Sequence, residues 1–137
     1  MTRKEDMAAL RADTRVHYNC AQAVVVPFAQ DMGITREQAY DMMLNFGGGM
    51  GCGATCGALI GALTALGGLG LPQEKRLELI RQFRDENGAI DCAALLKAAY
   101  ERGEEKKPHC DRMVRQCVEF VCRETNRFKD CCCIGSV

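Results

Sequence analysis

Residues 46–61 read Phe46-Gly47-Gly48-Gly49-Met50-Gly51-Cys52-Gly53-Ala54-Thr55-Cys56-Gly57-Ala58-Leu59-Ile60-Gly61, a glycine-rich run that passes straight into small apolar residues. They lie inside a longer stretch, Met42 to Gln73, that carries no charged side chain. Its length would admit a transmembrane helix. The glycines of its first third make that part a loop, however, and the apolar part, Ala58 to Leu71, is too short to span. The expected element is a buried central helix from Thr55 to Leu66, stopped by Gly67-Gly68-Leu69-Gly70. Gly53, Gly57 and Gly61 recur at every fourth position and form a small-residue face on which a second helix can come close. The same face is a candidate homodimer contact through Gly57 and Gly61, with packing inside the chain as the plainer reading. No Lys lies in the glycine run, so it is not a P-loop. Gly49-Met50-Gly51-Cys52-Gly53-Ala54 fits G-x-G-x-x-A only loosely, and a dinucleotide loop must follow a strand. The segment before it reads as helix.

Working outward, every segment has helical punctuation. Lys4 to Val16 reads as a charged helix. Cys20 to Met32 reads as an apolar helix kinked at Pro27 and ended by Gly33. Thr35 with Gln38 makes a capping box for the next helix. Beyond the central helix, Pro72 opens a helix whose inward face is Leu77, Ile80, Phe83 and, more loosely, Leu79, with Asn87-Gly88 ending it. Asp91 caps a helix from Cys92 to Arg102. Pro108 opens the last helix, to about Arg127, with an apolar face of Cys110, Met113, Val114, Cys117, Val118 and Val121. No segment alternates as a strand does. The expected fold is all-α, a compact bundle of about five to six helices in one domain, residues 1–128, followed by a mobile cysteine-rich tail, residues 129–137.

Composition narrows the function. Lys plus Arg and Asp plus Glu are 18 each, giving zero formal net charge, and there is no Trp. Neither a general pull towards nucleic acid nor a base-stacking platform is expected. Ten cysteines among 137 residues is the outlying number. The charged N-terminus, Met1 to Val16, reads as no signal peptide, so the expected compartment is the reducing cytoplasm. Cysteines there are more often ligands or redox groups than structural disulfides, although a free thiol also buries well as a small apolar group.

Four cysteines share a position. Cys20 follows Asn19, Cys56 follows Thr55, Cys92 follows Asp91, and Cys110 follows closely on Pro108. Each is expected in the first turn of a helix, where unpaired N–H groups and the helix dipole favour thiolate. Thiolate is both the nucleophile and the metal ligand.

The segments Asn19-Cys20-Ala21-Gln22, Phe46-Gly47-Gly48-Gly49-Met50-Gly51 and Cys56-Gly57-Ala58-Leu59-Ile60-Gly61 resemble the C_GCAxxG_C_C family of redox-active proteins, whose later cysteines match Cys92 and Cys110. The resemblance runs from about Arg15 to Glu124. A related domain occurs in split-Soret cytochromes beside an iron–sulfur cluster, so the resemblance implies a cluster role for these cysteines. Cys52, Cys117, Cys122 and Cys131 to Cys133 lie outside the four family positions. No C-x-x-C-H haem attachment site is present.

Three functions compete. In the leading one, Cys20, Cys56, Cys92 and Cys110 hold an iron–sulfur cluster that passes electrons to a protein partner, with Cys52 as a substitute ligand. In the second, a cysteine pair such as Cys56 with Cys20 or Cys92 cycles between dithiol and disulfide without any C-x-x-C motif. In the third, cysteines with His109 or His17 bind zinc or copper. Met42, Met43 and Met50 look like a soft-metal group but read better as core filler. Hydrolysis is not supported, because neither histidine can be set beside a thiol from the sequence.

Overall fold

Polar residues at the helix starts do much of the local work. The structure, a computed structural model, describes residues 1–128. The expected tail, with Cys131 to Cys133, lies outside the described residues. Helix α1, Arg3–Ala12, opens on a capping box in which Glu5 N–H donates to Thr2 Oγ1 at 3.0 Å and Thr2 N–H to Glu5 Oε1 at 2.8 Å. It stops well before Val16. Asp13 Oδ1 accepts from the amides of Arg15 and Val16 at 2.7 and 3.1 Å, a local turn that competes with helix. Helix α2, Cys20–Val25, has the same device in Asn19 and Gln22. Beyond it Pro27 withdraws a donor, so the expected kinked helix is an α-helix followed by two short 3-10 turns, Val26–Phe28 and Gln30–Met32. Gly33, at φ 77°, ends the run.

Helix α3, Arg36–Met42, starts at the expected Thr35–Gln38 box. After a 3-10 turn, Leu44–Phe46, comes the glycine loop and then α4, Gly57–Gly68. Helix α5, Glu74–Asn87, ends at Gly88 with φ 83°. Helices α6, Cys92–Glu101, and α7, Lys106–Phe128, complete the order. Among the described residues the fold is all-helical, with seven α-helices rather than the expected five to six. Among the described residues the sole pairing of extended backbone is one antiparallel bridge, Thr55 with Asp91, and no helix is long and apolar enough to cross a membrane.

The core forms around α4. Ala58, Leu59, Ala62, Ala65 and Leu66 are buried, and α2, α4 and α7 pack against one another. Small residues permit this. A Cβ on Gly61 would lie 2.9 Å from the Ala21 carbonyl oxygen and from Val24 Cβ. A Cβ on Gly57 would lie 2.7 Å from the Phe46 carbonyl oxygen. The face that was a candidate dimer contact is therefore covered by the chain's own α2. On α7, Met113, Val114, Cys117, Val118 and Val121 are buried as expected. On α5 the inward face is rotated from the expected one. Leu77 is 57% exposed, whereas Leu79 and Phe83 are buried and Lys75 reaches Glu124 of α7 at 2.8 Å.

Gly61→Val should force the α2 and α4 backbones apart and cost about 2–4 kcal/mol. Gly67→Ala, with nothing within 4 Å of the added carbon, should be neutral or slightly stabilising. Urea unfolding midpoints of the two variants check this contrast.

Candidate redox centre

The glycine loop, residues 47–53, is where sequence becomes site. Gly48, Gly49, Met50 and Gly51 follow one another in left-handed conformation, with φ between 60° and 72°. Three of these four positions are glycine, which bears that conformation without a Cβ clash, and Met50 is the lone exception. The turn brings Gly49 against Cys92, since a Cβ on Gly49 would lie 2.8 Å from Cys92 Cβ and 2.5 Å from the Ala54 oxygen. The chain then runs extended into the bridge with the start of α6. Cys56 N–H donates to the Ile90 oxygen at 2.8 Å, and Cys92 N–H donates to the Ala54 oxygen at 2.6 Å. These two bonds tie Cys56 to Cys92. Cys20, at the first position of α2, is placed beside them because Gly57 packs against it, with 3.5 Å from a Gly57 Cβ to Cys20 Cβ.

Cys110 completes the set from α7. Cys20 and Cys110 shift each other's acidity, Cys20 upward and Cys110 downward. Cys110 is also electrostatically coupled to Cys56 and Cys92, and Cys56 is coupled to Cys20 and Cys92. The four cysteines expected from the sequence therefore share one neighbourhood, with Cys110 at its hub. Three of them stand at helix starts as expected: Cys20 and Cys92 as first residues, and Cys56 as the N-cap of α4. Cys110 does not. His109 N–H donates to the Glu105 oxygen at 3.2 Å, so α7 begins at Lys106, two residues before Pro108, and Cys110 falls in the second turn. Pro108 is tolerated there because the first turn has no intrahelical donors to lose.

The electrostatics also depart from expectation. A helix start was expected to favour thiolate at every one of these cysteines. Burial instead raises Cys56 to about 11, even though the amides of Leu59 and Ala58 pull the other way without forming a cap bond. Burial raises Cys92 as well, and Cys20 is raised by donating to Cys110 and by burial. Desolvation outweighs the dipole. Cys110 alone is lowered, to about 7, first by the Cys20 thiol and then by Arg11 and Lys106, against burial and Asp111. Arg11 is a residue that sequence reasoning missed. It sits 100 residues from Asp111, to which its Nε donates at 2.6 Å, and no local pattern links them. Lys106 could have been found, lying one turn before Cys110 on the same helix.

The other candidates fall elsewhere. Cys52 is exposed, and its thiol points to the Gly49 oxygen at 3.4 Å. Cys117 is fully buried behind Cys56, as a core residue with its thiol pushed well up. His109 is buried, lowered by burial and by Arg112, and its Nδ1 lies 3.4 Å from Arg112 and 3.7 Å from Glu104. It lines a separate cavity with those two residues and Arg102. His17 is exposed near Cys110. Met43 is buried core, whereas Met42 and Met50 are exposed. Among the described residues, no group of three or more His, Cys, Asp or Glu side chains is placed to hold a metal ion.

In metal-free protein, thiolate absorbance should rise with a midpoint near 7 from Cys110, vanish in Cys110→Ser and move upward in Cys20→Ala, which loses the thiol donor. The fold favours this thiolate, so its stabilising contribution is full above the ordinary thiol value of 9.0 and is lost as pH falls through about 7. A first midpoint at the ordinary value would contradict the assignment.

No curated protein and no solved structure matches the chain. A family model does, over residues 18–124, and its description is "Putative redox-active protein (C_GCAxxG_C_C)". With most of its length matched, from just before Cys20 to beyond Cys122, the chain belongs to the C_GCAxxG_C_C family.

Proposed function

We propose that this chain is an electron-transfer protein whose centre is an iron–sulfur cluster ligated by Cys20, Cys56, Cys92 and Cys110. One observation supports the reading: Cys110 acts electrostatically on each of Cys20, Cys56 and Cys92. Four thiolates complete the coordination of such a cluster.

When bound, the cluster supplies a one-electron couple. The chain's own part is to hold and tune it. Arg11 and Lys106 offset negative charge at Cys110. The Ala58 and Leu59 amides do so at Cys56. Leu59 and Cys117 are both buried; the Leu59 amide acts on Cys56, and Cys56 in turn acts on Cys117. Cytoplasmic residence fits this reading, since a reducing compartment keeps the thiols available.

The mutual influence of Cys20 and Cys110 favours a second reading, in which this pair alone is the redox group. In exchange with a partner's disulfide, the more acidic Cys110 would attack one sulfur and release the other as a thiol, and Cys20 would then displace the mixed disulfide, leaving a Cys20–Cys110 disulfide and a reduced partner dithiol.

Anaerobic purification followed by iron, acid-labile sulfide and visible absorption measurements separates the two. The cluster reading expects equal iron and sulfide with broad visible absorption. Serine at any of Cys20, Cys56, Cys92 or Cys110 should abolish it, and Cys52→Ser should leave it unchanged. A colourless, iron-free protein that resists reconstitution sinks the cluster and leaves the dithiol couple, which would then show loss of two free thiols on oxidation.

A further inference from the structure

Cys110 forms part of the wall of a cavity of about 330 Å³ between α1 and the start of α7. We propose that this cavity binds a small organic anion with an apolar body, seated against the Cys110 side of the centre. The volume falls in the range of small-ligand sites, about 300–1,000 Å³. One wall is apolar: Leu10 is buried there, and the Tyr18 ring is fixed edge-on against Tyr40 with centroids 5.4 Å apart. The remaining lining carries Arg11, Lys106, Lys107 and His17, against the Asp13 carboxylate and the Cys110 thiol, which is lowered to about 7.

The state of each charge decides what the cavity can take. Arg11 is locked in place, donating to Asp111 at 2.6 Å and to the Tyr18 oxygen at 2.9 Å. Lys107 bridges the Arg11 oxygen at 2.9 Å and Asp111 at 3.3 Å. Asp13 is occupied by the amides of Arg15 and Val16. Lys106 has no hydrogen bond or ion pair among the described residues, and it stands exposed at the rim. Its ammonium is the group left to meet a ligand. A bare inorganic anion would not use the Leu10 and Tyr18 wall, and a neutral apolar molecule would not use Lys106. An anion with an apolar body uses both. Any role of that anion as electron donor or acceptor rests on the redox reading above, but its binding does not.

Calorimetric titration of the protein as purified, at low salt, with 1-naphthoate and with its uncharged counterpart 1-naphthamide tests the inference. Naphthoate should bind about fivefold or more tightly than naphthamide. Lys106→Glu should weaken naphthoate by about tenfold, and Arg81→Glu, the same charge change on α5, by less than about twofold. Equal affinity for the two ligands, equal losses in the two variants, or no binding by either ligand would overturn it. Repetition on iron-free protein keeps the two proposals apart, because naphthoate binding retained there upholds the anion site whatever becomes of the cluster.

Discussion

Two backbone hydrogen bonds organise this molecule: Cys56 N–H to the Ile90 oxygen and Cys92 N–H to the Ala54 oxygen. They join the start of α4 to the start of α6, across more than thirty residues of sequence, in an all-helical fold with no sheet to do so. The bridge needs the chain before α4 to be extended, and that in turn needs the left-handed glycine turn to deliver it. Gly49 sits beneath the bridge against both Ala54 and Cys92, where any side chain would collide. The glycine run thus positions Cys56 and Cys92. The small-residue face of α4 continues the same logic, letting α2 come close enough to set Cys20 beside Cys56.

Within that frame, desolvation and specific neighbours set the chemistry, and helix dipoles come second. Three of the four thiols are pushed towards their neutral form by the packing that brings them together. Such a cluster of buried thiols stores a cost that metal binding would release, since ligation removes the protons and supplies the opposing charge. Cys110 is the exception because Cys20 donates to it and Arg11 and Lys106 stand near. Both cations also line the adjoining cavity.

Much of this was legible in the sequence, and the reasons differ by residue. Asn19, Thr35, Gly33 and Gly88 mark helix ends through local chemistry, and they stand where the sequence puts them. That Cys20, Cys56, Cys92 and Cys110 act on one another was legible because cysteine spacing is local and, for the first three, so are the helix starts beside them. Boundaries failed where a local competitor was overlooked, as with the Asp13 turn that shortens α1 and the start of α7 ahead of Pro108. The α5 face was misread because Leu77 and Leu79 both fit a helical stripe, and only the contact with α4 and α7 selects Leu79. Arg11 and the cavity at Cys110 were invisible, because they arise from α1 meeting α7 across the whole chain. The thiol acidities could not be read either, since burial is a tertiary quantity.

The central claim is that Cys20, Cys56, Cys92 and Cys110 form one centre. Disulfide mapping by mass spectrometry after mild oxidation tests it most directly, on metal-free protein with Cys131, Cys132 and Cys133 replaced by serine. The account predicts a Cys20–Cys110 link first and any further link between Cys56 and Cys92, with Cys52 left free. A first link from one of the four to Cys52, or no intramolecular link among the four, would contradict it.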